Sequence, residues 1–381
     1  MGLSNAAAST RHDERGVSSA CGLGSQEVGS DRRQFPASLR DLGGVLSGES
    51  WQEVKAGRVV LQSANYTDFD AFASSVRDAN FEMLIQNPKR PRWSVSYLDL
   101  AGVHIQLGRE GSGNITEGQS LPVGYLLFMP LTHPEAHSAN GVALDDVSMA
   151  ILGPGCDFCL ASRIEHDWCS IFVPTLELDR CCDPEGASSD SEEMTCRVTR
   201  LDRQLAHQYR TSVVELMAIA AEHPQFESSL ASNVAAPRLR QLATEILGQR
   251  QAGEVHPVGR PKVSRREIIR RSHELLEAQS GSHVGITDLA ATAGVSERTL
   301  RTAFKEHYGV GPARYLQLST LHRVRRALRA ADPEEATVAI VLLQHGEWQI
   351  GRFAARYRRL FGELPSETLR ARRPVVQVPA A

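Results

Sequence analysis

From Ile286 to Lys305 the chain reads Ile-Thr-Asp-Leu-Ala-Ala-Thr-Ala-Gly-Val-Ser-Glu-Arg-Thr-Leu-Arg-Thr-Ala-Phe-Lys. Arg298, Arg301, Thr302 and Lys305 recur there at steps of three and four, so on a helix they share one outer stripe, with Ser296 and Glu297 at its N-terminal end. Guanidinium groups suit bidentate contact with phosphate and with the guanine edge. About 50 residues later Gln349, Arg352, Arg356 and Arg359 repeat the arrangement. A charged stripe is ordinarily a solvated helix face. Two such stripes in one repeat point instead to nucleic acid, with those ten residues as the candidate contacts.

Other chemistries are less well supported. Cys156 and Cys159 form a CxxC, with Cys169, Cys181, Cys182 and Cys196 downstream. That stretch reads as a strand, where residues three apart point to opposite faces, and no second CxxC or His pair completes four ligands. Reduced, mostly buried thiols are expected. His133 and His137 lack the dense His and Glu arrangement of a metal-bearing sandwich. No Gly-rich phosphate loop, nucleophile elbow or catalytic triad spacing stands out, so neither an enzyme nor a bound cofactor or metal is expected. Trp93, Tyr97, Tyr125 and Trp168 are candidates for lining a small-molecule pocket, core packing being the plainer role for each.

The charge balance places the partner. The 381 residues carry 42 Lys and Arg against 45 Asp and Glu, for a net charge of -3. The distribution is uneven: 21 cations face 12 anions from Gly259 onward, +9, which leaves -12 on the first 258 residues. An apolar share of 41% excludes collagen-like, disulfide-knot and largely disordered classes. Apolar runs fall well short of the roughly 20 residues that cross a bilayer, and the N-terminus lacks secretory-signal features, so a cytoplasmic location without membrane contact is expected.

The elements that must position the cationic stripes can be read from periodicity. In the first unit Ala290 is a small packing residue, Gly294 suits the turn, Ser296 caps the next helix, and Val295, Leu300 and Phe304 face inward. In the second, Thr337 to His345 is the first helix, Gly346 the turn and Trp348 to Phe361 the second helix, with Phe353, Tyr357, Leu360 and Phe361 inward. Between the units, Pro312 to Ala331 forms a helix that fixes the distance between two heads, and heads about 34 Å apart would enter successive major grooves. Upstream lie a disordered leader (1–34), strand-like runs from Trp93 to Phe172, a polar loop (181–193), two amphipathic helices (Leu201 to Ala221 and Leu230 to Leu247), and a linker (251–262). A short helix is expected between Tyr66 and Asp78. The apolar stripes of the helix pair need a partner, which makes the pair the expected dimer contact.

The C-terminal part resembles the AraC/XylS family of transcriptional regulators. The carrying residues are Leu289-Ala290, Gly294-Val295-Ser296, Leu300, Phe304, Gly309, Pro312 and Tyr315, then Gly351-Arg352-Phe353-Ala354, Tyr357-Arg358-Arg359-Leu360-Phe361-Gly362 and Pro365-Ser366. The resemblance covers about the last 115 residues well and the rest in outline. It implies an α+β multidomain chain: a cupin-like antiparallel β-sandwich or barrel (35–196) that takes a small-molecule effector, a helical dimerisation segment (197–250), and an all-α DNA-binding domain with two helix-turn-helix units (263–374). It also implies activation through promoter DNA and RNA polymerase, and a homodimer. The rival reading is a metal-binding cupin-type enzyme, or a metal or redox sensor, using the N-terminal domain. Two positions depart from the family pattern: Leu342 where a small residue is usual, and Glu347 where an aromatic is. Overpacking at Leu342 is expected to shift the second unit's docking, with Glu347 left in solvent beside Arg352.

Overall fold

The computed structural model describes residues 61–88, 92–178, 196–223, 226, 229–249, 263–279 and 284–371, all within one packing unit, Ser38–Ala381. The leader, the 181–193 loop with Cys181 and Cys182, and the linker lie outside the described residues.

Among the described residues, the first part has twelve strands: β1 (Leu61–Tyr66), β2 (Ala79–Ile85), β3 (Trp93–Leu100), β4 (Val103–Glu110), β5 (Asn114–Ser120), β6 (Gly124–Pro130), β7 (His137–Ala139), β8 (Val142–Ala143), β9 (Ser148–Leu152), β10 (Asp157–Ser162), β11 (His166–Pro174) and β12 (Cys196–Arg200). They form two antiparallel sheets, ordered β1-β3-β4-β11-β6-β9-β12 and β2-β5-β10-β7-β8. The alternation along β11 shows how one strand serves two layers. Trp168 and Phe172 point between the sheets, whereas Cys169, Ile171 and Val173 belong to a second core behind them. A short helix α1 (Phe69–Ser75), capped by the Asp68 carboxylate, fills the expected position between Tyr66 and Asp78.

Helices α2 (Arg203–Glu222) and α3 (Leu230–Gly248) cover the outer face of the seven-stranded sheet. Leu205, Tyr209, Val213 and Met217 of α2 and Leu239, Leu242 and Ile246 of α3 are buried there, and the Tyr209 hydroxyl donates to the Leu127 carbonyl at 2.6 Å. This corrects the expectation that the helix pair is left needing a partner: the chain's own sheet buries both stripes. Ile219 and Val234 are the large apolar side chains the pair leaves exposed.

The rest is helical: α4 (Arg265–Ala278), α5 (Ile286–Ala293), α6 (Glu297–Tyr308), α7 (Pro312–Ala330), α8 (Val338–Gln344), α9 (Ile350–Phe361) and α10 (Pro365–Arg370). The long helix α7 packs against α6, α8, α10 and β2, so it is shared by both helical units and the β region. Its polar anchor is Arg325, whose side chain is 7% exposed and reaches Asp70 at 2.7 Å, Asp68 at 3.2 Å and the Glu363 carboxylate. The guanidinium also lies over the Phe69 and Phe361 rings, which stack on each other. Arg329 adds bonds to Asp68 and Asp70 at 2.7 and 2.6 Å.

Removing one member of a buried charge cluster leaves the others uncompensated. Arg325→Ala should therefore destabilise the chain by about 3 to 5 kcal/mol. Arg326→Ala, which removes an exposed pair with Glu82, should cost about 1 kcal/mol or less. Denaturant titration of the two variants tests the contrast.

Candidate nucleic-acid interface and ligand cavity

The first helix-turn-helix unit forms as its residues dictate. α5 ends at Gly294 with φ 69°, and the Val295 amide donates back to the Ala290 carbonyl at 3.0 Å. Ser296 then caps α6, its hydroxyl oxygen accepting from the Thr299 amide at 3.2 Å. Leu300 and Phe304 are fully buried and Val295 is half-buried. Arg298, Arg301, Thr302 and Lys305 are exposed together on the outer stripe. Glu297 is half-buried, receives the Arg301 guanidinium at 2.7 Å and the Thr287 hydroxyl at 3.1 Å, and so orients Arg301. That pair is exposed, and such pairs are weak enough to yield to a phosphate or base. The Thr302 hydroxyl donates to the Arg298 carbonyl, while the Arg298 and Lys305 side chains have no ion-pair partner among the described residues.

The second unit keeps the glycine and the closing hydrogen bond of that turn despite its departures. Gly346 has φ 73°, and the Glu347 amide donates to the Leu342 carbonyl at 2.9 Å, matching the bond from Val295 to Ala290. Leu342 is fully buried, so its extra volume is absorbed within that turn. Glu347 corrects the expectation of a solvent-facing carboxylate beside Arg352. Its side chain is 21% exposed and pairs with Arg356 at 3.1 Å, while Arg352 donates instead to Gln349. α9 starts at Ile350, two residues later than expected, with Gln349 as an N-cap that makes no capping bond. Trp348 stands in the turn at 77% exposure. Phe353, Tyr357 and Leu360 are buried as expected, but Phe361 is half-buried, stacked on Phe69. Arg352 and Arg359 face solvent, whereas Arg356 is held by Glu347 and lies over Phe353. Each unit thus has one outer guanidinium paired with a glutamate, and the Arg356–Glu347 pair is the more buried of the two.

A cavity partly open to solvent lies between the two sheets. Phe81, Met83, Leu126, Phe128, Phe158 and Leu160 give it an apolar body. Its polar end is Glu110, Asn114, His137 and His166. Glu110 and His166 are direct partners across β4 and β11, and the two imidazole rings stand edge to face, 4.4 Å between centroids. Backbone carbonyls of His133 and Ile164 face the Nδ1 atoms at 2.9 and 3.0 Å, so each Nδ1 carries the proton and each Nε2 is an acceptor. The His137 Nε2 is buried without a partner among the described residues. Burial pushes the Glu110 carboxyl up to about 8, against the pull of the Trp168 indole that donates to it at 2.7 Å. Burial also lowers His137 to about 4 and His166 to about 3. Burial thus favours the uncharged form of Glu110, His137 and His166 alike.

Of the four aromatic residues expected to line a pocket, Trp168 does. Trp93, Tyr97 and Tyr125 do not. Trp93 packs near Phe69, Tyr97 lies under the Arg77 guanidinium, and Tyr125 faces the helix-covered core behind the sheet. Glu110 and His166 were missed because only the β4–β11 register brings them together. His137 was noticed, but beside His133, which contributes a backbone carbonyl rather than its ring. The CxxC thiols are both buried and free, as expected.

A family model described as a helix-turn-helix domain matches residues 289–371. XylDLEGF operon transcriptional activator 1 of Pseudomonas putida is 28% identical over 205 residues, 53% of this chain and 58% of its own length. The probable thc operon regulatory protein of Rhodococcus erythropolis is 34% identical over 110 residues, 29% of this chain and 33% of its own. A solved structure of a probable AraC family transcriptional regulator from Rhodopseudomonas palustris shares 33% identity across 27% of this chain and 94% of that one, at a TM-score of 0.24. The chain spans 58% of the length of the first Pseudomonas relative. Residues 289–371 thus carry a helix-turn-helix domain, and over about half its length the chain is similar to these transcriptional activators.

Two outcomes follow from this geometry. Arg298→Ala with Arg301→Ala should lose about 1 to 3 kcal/mol of DNA affinity per base-reading contact and relax base preference. Arg352→Ala with Arg356→Ala should lose less, because the Arg356–Glu347 pair is more buried than the exposed Arg301–Glu297 pair and yields less readily to DNA; binding to a library of single-base variants separates the two. The second concerns pH. A carboxyl raised from 4.5 to about 8 holds more protons folded than unfolded, so its stabilising contribution is present at low pH and lost as pH rises through that window. Denaturation across that range should show a fall in stability that Glu110→Gln lacks.

Proposed function

We propose that the chain is an effector-responsive transcriptional activator that reads promoter DNA with α6 and α9 and takes a small molecule in the cavity between its sheets. The observation that carries the reading is the pair of helix-turn-helix units joined by one shared helix, each presenting outward guanidiniums. Activation, with RNA polymerase as partner, is proposed from the family and from the printed role of the Pseudomonas relatives. Among the described residues no helix is long and apolar enough to cross a membrane, and a cytoplasmic location is part of the proposal. A homodimer through the helix pair would use its outward face, where Ile219 and Val234 are exposed.

The cavity favours a largely apolar ligand that places a hydrogen-bond donor against the His137 Nε2 and His166 Nε2 acceptors. Its wall continues into the α7 anchor: Val76, Arg77 and Ala79 line it directly after α1, and α1 begins at the aspartates that hold Arg325 and Arg329. A ligand that displaces this wall would act on the helix shared by both DNA-reading units.

The experiment pairs binding and response. The full chain should bind promoter DNA with an affinity that falls steeply as salt rises. Ser170→Phe, which fills the cavity, should keep that binding but abolish the change in transcription caused by a cavity ligand. Salt-independent binding would refute the DNA reading, and a full response in Ser170→Phe the cavity reading.

A further inference from the structure

We propose that Glu117, Cys159 and His307 form a zinc site that ties the β-sandwich to the first recognition helix. One ligand atom from each of the three lies within 4.8 Å of the others. A thiolate, an imidazole and a carboxylate are the donors zinc takes in tetrahedral sites, at about 2.0 to 2.3 Å, so a small closing movement around the ion completes the set.

The residues come from three separate elements. Glu117 and Cys159 are direct partners across β5 and β10, which puts both side chains on the same face of the sheet. His307 descends onto them from the last turn of α6. Their alignment is held by Asn140, a non-glycine residue at φ 46° in the turn between β7 and β8. Its amide donates to the Cys159 carbonyl at 2.8 Å, and its side-chain oxygen accepts from the Cys159 amide at 2.7 Å. The next residue, Gly141, has φ 81°, and a Cβ there would meet the His307 Cα at 3.3 Å, so glycine is what lets α6 come this close.

The carboxylate is oriented in the same manner. The Tyr315 hydroxyl donates to the Glu117 Oε2 at 2.8 Å, and the His273 Nε2 lies 3.2 Å from Oε1. Cys159 is 3% exposed, and its sulfur has no hydrogen-bond partner among the described residues. The Glu117 side chain, 23% exposed, gives the route by which water fills the fourth position. Zinc binding displaces the Cys159 proton and joins β5 and β10 to α6, restricting the helix that carries Arg298 and Arg301.

Cobalt(II) substitution tests this on the full chain, with Cys21, Cys181 and Cys182 replaced by serine so that the remaining thiols are defined. The expected result is one cobalt per chain with a thiolate-to-cobalt charge-transfer band, displaced by zinc. Cys159→Ser should remove the band and Cys156→Ser should leave it intact. His307→Gln should weaken zinc binding by about 100-fold or more while the circular dichroism stays native. No band in the parent chain, a band that survives Cys159→Ser, or unaltered zinc affinity in His307→Gln would overturn the proposal. If Cys159→Ser does not fold, His307→Gln decides, since it changes a half-buried side chain at a helix end.

Discussion

Arg325 is the interaction around which the described structure is organised. A guanidinium on the long helix α7 is buried against two aspartates at the start of α1 and a glutamate beyond α9, with an aromatic ring from each region against its faces. Desolvating a guanidinium is costly, and the arrangement holds only if carboxylates from all these segments converge. The β-sandwich, the shared helix and the second helix-turn-helix unit therefore assemble as one network. Apolar contact continues through the same region, where Phe69 stacks on Phe361 and His322 packs edge to face on both.

That constraint gives the two recognition helices a common frame. α6 is fixed to α7 through the Tyr308 and Tyr315 rings, which stack at 4.4 Å between centroids. α9 is fixed through Tyr357, whose hydroxyl lies 2.8 Å from the Thr368 hydroxyl on α10, a helix that itself packs on α7. Neither contact involves the outer stripes, so the cations remain available for phosphates and bases. Arg301 and Arg356 are each paired with a glutamate, and the Arg356 pair is the more buried because Glu347 occupies a position next to the turn where a carboxylate has to find a cation.

The sequence revealed the parts of the fold that rest on short-range periodicity. Helix spacing placed α5 to α7 and the outward faces of Arg298, Arg301, Arg352 and Arg359, because a 3.6-residue period fixes which side chains share a face. It also located the strand-rich stretch from Trp93 to Phe172, whereas β1, β2 and β12 lie outside it. What it left hidden depends on register and on long-range packing. Glu110 with His166, and Glu117 with Cys159, become neighbours only once β4 pairs with β11 and β5 with β10. The helix pair was read as needing a partner because its stripes are plain in the sequence, but the sheet face that covers them is not. Glu347 shows the same limit on a smaller scale: spacing suggested Arg352 as its partner, and the longer turn before α9 brought Arg356 instead.

The central claim is that α7 holds two DNA-reading helices as one rigid pair. Guanine N7-methylation interference on a promoter fragment bound by the full chain tests it most directly, since N7 lies in the major groove that both helices are to enter. The account predicts two clusters of interfering guanines on one face of the duplex, about 10 base pairs apart, one helical turn. A single cluster, or two on opposite faces, would contradict it.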